Sequence, residues 1–132
     1  MRLLILTLLG MLLVGCAGQE TRSDEKPDLD SYMAHAGESE NRVHFRRLTS
    51  WQVVGDQWVL LEAAHRDHFL VKVDANCARD LEFARSLSVR QASRINTLSR
   101  LDEVYVGDRR CSIREIRKFD RDAFREARGS AR

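Results

Sequence analysis

The run FLVKVD, residues 69–74, constrains this chain more than any other stretch. Phe69, Val71 and Val73 alternate with Leu70, Lys72 and Asp74, the two-residue period of a strand with one face in a core. Two related runs precede it. Phe45 to Val54 carries Phe45, Leu48, Trp51 and Val53 and ends at the turn pair Gly55-Asp56. WVLLEAA, Trp58 to Ala64, is apolar on both faces at its start. With Gly55-Asp56 and the stretch His65–His68 as connections, these runs predict a three-stranded antiparallel meander.

Leu81 to Ala84 reads as a helical turn, and Leu87 with Val89 as another short strand. Ile95, Leu98 and Leu101 recur every third residue, which fits a short helix or irregular packing better than a strand. EVYVGD and RRCSIREI form a last hairpin around Gly107-Asp108. Cys111 and Ile113 share a parity that Ile116 does not, so a bulge or change of face is expected near Arg114-Glu115. Asp102-Glu103 reads as a turn followed by a solvent-facing position. Asp120 to Arg128 has the polarity of a short helix, with Asp120 as its N-cap and Ala123, Phe124 and Ala127 on one stripe. The expected fold is therefore mainly β: a small curled antiparallel sheet or barrel of five to six short strands, closed by a short C-terminal helix.

The N-terminus speaks to location. Arg2 precedes an apolar segment from Leu3 to Val14, interrupted by Thr7 and Gly10, and small Gly15 stands before Cys16. The segment is too short for a spanning helix, which needs ~20 apolar residues. Leu13-Val14-Gly15-Cys16 resembles the lipobox of bacterial lipoproteins, in which the cysteine thiol carries diacylglycerol. Each buried methylene contributes about 0.8 kcal/mol, so two or three chains hold a protein on a bilayer almost permanently. Residues 1–15 are thus expected to be a lipoprotein signal peptide and Cys16 the lipidated residue. Ala17, where an Asp would favour retention at the inner membrane, leans toward the outer membrane, facing the periplasm. From Gln19 to Glu40 there are seven acids and two bases, and from Asn41 onward thirteen acids and nineteen bases. The acidic stretch, with few apolar residues, completes a flexible tether over residues 16–42. Residues 43–132 are the domain.

An exported domain this small has a thin core, and Cys77 and Cys111 remain once Cys16 is lipidated. A disulfide between them is expected. It closes a loop whose chain entropy is worth roughly 4 kcal/mol. A redox pair would favour C-x-x-C at a helix start, and a zinc site four ligands at recognisable spacing.

The order and spacing of W-x-x-x-G-D (Trp51, Gly55, Asp56), FLVKVD leading into Cys77, L-E-F-A (Leu81, Phe83, Ala84), Asp102 and Val104, and C-S-I-R-E-I (Cys111, Ile113, Ile116) resemble a bacterial family. It is the domain-of-unknown-function 6491 family, small exported proteins, often lipoproteins, of proteobacteria. The resemblance covers most of residues 45 to 119. It implies the domain boundary and the cysteine pair and carries no activity with it.

Chemical groupings are sparse. No G-x-S-x-G elbow or glycine-rich phosphate loop is present. His65 and His68, with Asp67 and Glu62 near, would need a turn and a third ligand to hold a metal, so a solvated hairpin tip is the favoured reading. Trp51 and Trp58 flank the first turn and would suit a sugar ring, although core packing is the favoured role of two indoles. Trp51, Trp58, His65 and His68 are the candidate ligand contacts. The basic residues are scattered in ones and twos and read as a solvated surface. The expectation is a non-catalytic envelope lipoprotein without cofactor or metal. It would be anchored in the membrane and bind an envelope protein or an anionic envelope polymer rather than nucleic acid. A small metal-binding or enzymatic factor using His65 and His68 is the alternative.

Overall fold

Each apolar run becomes a strand because it has two surfaces to bury or one to hide. The computed structural model describes residues 28–91 and 95–130. Residues 1–15, expected to be a signal peptide, Cys16 and the first part of the acidic stretch lie outside the described residues. The described residues open with helix α1 (Leu29–Met33) and strands β1 (Ala36–Ser39) and β2 (Arg42–His44). The meander follows as β3 (Leu48–Val53), β4 (Trp58–Ala63) and β5 (His68–Val73), with a 3-10 turn over Ala64–Arg66. A second 3-10 turn, Ala75–Cys77, runs into α2 (Ala78–Glu82). Then come β6 (Leu87–Arg90), β7 (Thr97–Ser99), β8 (Glu103–Val106), β9 (Arg109–Phe119) and α3 (Arg121–Ser130).

The strands pair antiparallel in the order β3-β4-β5-β9-β8-β6. β3 also approaches β6, which leaves a six-stranded, nearly closed barrel. β9 is long enough to serve two neighbours on one edge, β8 along its first half and β1 at its end. The barrel interior is filled by alternate residues: Val59 and Leu61 from β4, Phe69, Val71 and Val73 from β5, Val104 from β8, Cys111, Ile113 and Ile116 from β9. The shift of parity in β9 is resolved by a bulge. Lys72 pairs with Glu115 and Val73 with Ile113, so Arg114 is the extra residue, and both halves of β9 then face the core.

β4 is buried on both faces. Val59, Leu61 and Ala63 point inward, while Trp58 and Leu60, joined by Leu70 of β5, form an outer apolar face. Tyr32 of α1 and Phe124 of α3 cover it, their rings 4.5 Å apart, with Phe119 beside them. Residues 28–42 therefore differ from the expected flexible tether: from Asp28 onward the chain is folded onto the domain. α1 is capped by Asp28 and β1 is paired with β9.

The Ile95, Leu98, Leu101 spacing also resolves differently. Thr97–Ser99 is a strand paired with β2, and this two-stranded ribbon seals one end of the barrel with Val43, Phe45 and Leu98. Ile95 and Leu101, in the flanking turns, are 89% and 85% exposed. Asp102 stands in a turn, as expected, its N–H donating to the Ser99 carbonyl at 3.0 Å; it is 2% exposed, and its Oδ2 accepts the Ser99 N–H at 2.7 Å. It satisfies a donor where the ribbon returns to the barrel. Gly107 has φ +59 in the two-residue β8–β9 connection, a conformation that favours glycine at the first position of such a turn.

Cys77 and Cys111 form a disulfide with Cα atoms 6.1 Å apart, tying the turn before α2 to β9. The bond spans a sequence separation of 34. Replacing both cysteines by alanine is expected to cost about 4 kcal/mol of unfolding free energy. Urea denaturation of the double variant reads this directly; an unchanged midpoint would remove the bridge from the stability of the barrel.

Candidate functional site

Where β4 and β5 leave the covered outer face, register sets polar residues side by side. Ser50 of β3 stands opposite Glu62 of β4, and Glu62 stands opposite His68 of β5. The Ser50 hydroxyl donates to Glu62 Oε2 at 2.8 Å, and the same oxygen lies 3.6 Å from His68 Nε2, longer than a hydrogen bond. The His68 side chain is 8% exposed, and its Nε2 is buried with no hydrogen-bond partner.

A cleft of about 790 Å³ opens over this row. His35 and Gly37 line it from the start of the chain and Arg66 from the β4–β5 connection. Lys118 lines it from the end of β9, and Arg121 and Arg125 from α3. Arg66 has φ +66, a left-handed backbone that costs a residue with a Cβ roughly 1–2 kcal/mol. A smaller cavity shares Arg66, His68 and Lys118 and adds His44 and Asp67. The fold thus gathers in one cleft side chains that are scattered in sequence, while Arg66, Lys118 and Arg125 remain exposed, as a solvated surface requires.

Three carboxylates share the lining, and two are committed. Asp120 caps α3, its Oδ1 accepting the Ala123 N–H at 3.0 Å. Glu62 is held below its ordinary 4.5, first by the Ser50 hydroxyl; burial opposes this, and His68 and Arg121 add smaller contributions that lower it. Asp122, in the first turn of α3, is exposed.

The sequence candidates separate. Trp51 packs against the barrel interior and Trp58 lies in the outer apolar face, so the two indoles do not share a groove. Lys72 Nζ stands 5.9 Å from the Trp58 ring. His68 is in the cleft. His65 belongs to the 3-10 turn, and its side chain lies outside what is described. Among the described residues no group of three or more His, Cys, Asp or Glu is placed to hold a metal ion. Chain reading missed Arg66, Lys118, Arg121 and Arg125. The only local signal was the pair Arg121 and Arg125, one helical turn apart behind the Asp120 cap.

The row does not amount to a nucleophile and its base. The Ser50 proton is directed to Glu62, not to the imidazole, and no Ser, Thr or Cys lines the cleft among the described residues. What the arrangement offers is positive charge above a recessed imidazole.

Over residues 1–132, the whole chain, the sequence matches a family described as a family of unknown function (DUF6491), a wider span than residues 45 to 119. No curated protein and no solved structure matches it.

Because its native pKa is lowered, the Glu62 carboxylate contributes stability that is fully present above the unfolded value and lost as pH falls through the folded one. Glu62→Gln is therefore expected to flatten the acid limb of the melting temperature below about pH 4.5. The side chain is 36% exposed. The difference should stay within about 4 °C, as for a solvent-screened pair. Thermal melts from about pH 3 to about pH 6 test it; parallel curves for both proteins would count against the assignment.

Proposed function

The chain belongs to that family, DUF6491, and since membership supplies no activity, we propose that it is a lipid-anchored, non-catalytic binding module of the bacterial cell envelope. The observation that carries the reading is the N-terminal pattern: a charged start, a short apolar segment and Leu13-Val14-Gly15-Cys16 in register. The disulfide supports it, since such bonds persist in oxidising compartments outside the cytosol. Among the described residues no helix is long and apolar enough to cross a membrane, which fits attachment through lipid on Cys16.

On this reading the protein sits at the outer membrane, facing the periplasm. Residues 17–27 link the lipid to a domain that begins at Asp28. The working surface of the module is the basic cleft over His68, and its partner is an anionic component of the envelope. No cofactor takes part. The module acts by holding its partner near the membrane.

Mass spectrometry of the native protein, extracted in detergent, tests the anchor. The mature chain is expected to begin at Cys16 and to carry a diacylglyceryl thioether. Cys16→Ser is expected to release the protein from the membrane fraction or block its processing. An unmodified Cys16 side chain, or a mature terminus elsewhere, would overturn the placement.

A further inference from the structure

We propose that the cleft between α3 and the end of β4–β5 is a binding site for a phosphate group, borne by a soluble phosphate ester or by a lipid headgroup. The proposal rests on the binding-module reading and names the chemistry its site recognises.

Four cationic side chains reach the cleft from three directions. Arg66 comes from the β4–β5 connection, Lys118 from the end of β9, and Arg121 and Arg125 from one face of α3. Three carboxylates share the lining: Glu62 accepts from Ser50, Asp120 accepts from the Ala123 N–H, and Asp122 is exposed, so four cations leave one net positive charge. Lys118 Nζ is 3.9 Å from Glu40, a loose surface pair. On the other side of α3 a second cleft is lined by the same Arg121 and Arg125 together with Arg128, and among the described residues by no carboxylate. The positive row thus runs along the helix and turns into the cleft at its N-terminus.

Two sets of donors add to the charge. The backbone N–H groups of Arg121 and Asp122 precede the first intrahelical hydrogen bond of α3, and the helix dipole favours an anion beside them. The independent sign is His68. A buried imidazole nitrogen without a hydrogen-bond partner is destabilising, and this one belongs to a residue that lines the same cleft. A ligand oxygen reaching the floor of the cleft, with a small shift of the ring, would supply the acceptor that Glu62 is too far away to be.

The disposition favours phosphate over carboxylate. A carboxylate presents two oxygens in one plane and is satisfied by one guanidinium fork. A phosphate monoester presents three terminal oxygens in a tetrahedral array, which more than one guanidinium can serve at once, and Arg66, Arg121 and Arg125 all line the cleft.

Isothermal titration of the purified lipidated protein in neutral detergent tests this. Inorganic phosphate and monomeric dihexanoyl phosphatidic acid are the probes; dihexanoyl phosphatidylcholine and sodium chloride at matched ionic strength are the controls. Saturable binding of the probes and not the controls is expected. Equal affinity for both probes assigns the site to soluble phosphate, and preference for phosphatidic acid assigns it to a headgroup; both support the proposal. The Arg66→Ala, Arg125→Ala double variant should bind about tenfold more weakly or worse, the loss of charge-assisted hydrogen bonds. His68→Phe should lose affinity while its melting temperature holds or rises, because it removes an unsatisfied polar atom, and His68→Gln should recover part of the affinity. No saturable heat with either probe, or unchanged affinity in the double variant or in His68→Phe, would overturn the proposal. Mass analysis of Cys16 is read on the same sample. A lipidated protein that ignores phosphate overturns this inference alone, whereas an unmodified Cys16 overturns the anchored-module reading whatever the titrations show.

Discussion

Burial of β4 and β5 on both faces is the constraint from which the rest of the structure follows. A strand with one apolar face needs a single core, but Trp58, Leu60 and Leu70 point away from the barrel and must be covered as well. Among the described residues, the segments before β2 and after β9 supply that cover as α1 and α3. Helix α1 has five residues, far too few to be stable alone, and exists because Leu29, Tyr32 and Met33 find that outer face. The cleft is a consequence. It opens where α3 begins and the outer apolar face ends, and the residues on its rim are polar because they lie past the edge of what the helices cover.

β9 is the second constraint, since it serves β5 on one edge and both β8 and β1 on the other. A regular strand of eleven residues with the sequence RRCSIREIRKF would turn Ile116 outward. The Arg114 bulge restores the inward face for Ile116 and adds local twist, which helps the sheet curl toward closure. Arg114 itself faces out, donating to Asp74 Oδ2 at 2.7 Å, and holds the segment after β5 against the bulged strand. The Cys77–Cys111 bond joins the same two segments on the inside. One junction is thus fixed from both faces.

The strands were legible because their periodicity is local. Alternation in FLVKVD, the parity conflict around Arg114 and the cap at Asp120 are each contained in a handful of residues. β7 was not legible. Its three residues offer one buried side chain, Leu98, and the apparent period of three came from Ile95 and Leu101, which lie in turns outside the strand. Residues 28–42 were read as tether because their acidic, apolar-poor composition describes the chain and not the surface that receives it. Asp102 was read correctly as a turn residue, but only the fold shows the Ser99 N–H that draws its carboxylate inside.

The cleft could not be read from the chain because charge acquires meaning only through proximity. Arg66 and Lys118 are far apart in sequence, and each alone is an ordinary surface cation. Placed in one concavity with two more arginines and the N-terminus of α3, they form a set of cations that outnumbers the three carboxylates of the same lining by one. His68 makes the same point from the opposite direction. In HRDH it is a polar residue among polar residues, and a solvated tip is the economical reading. Register with Glu62 and the proximity of Phe119 and α3 bury the ring instead, leaving Nε2 without a partner. A fold optimised for stability alone would fill that position with an apolar ring or pair the nitrogen. Keeping that polar atom costs stability that an apolar ring in the same position would not.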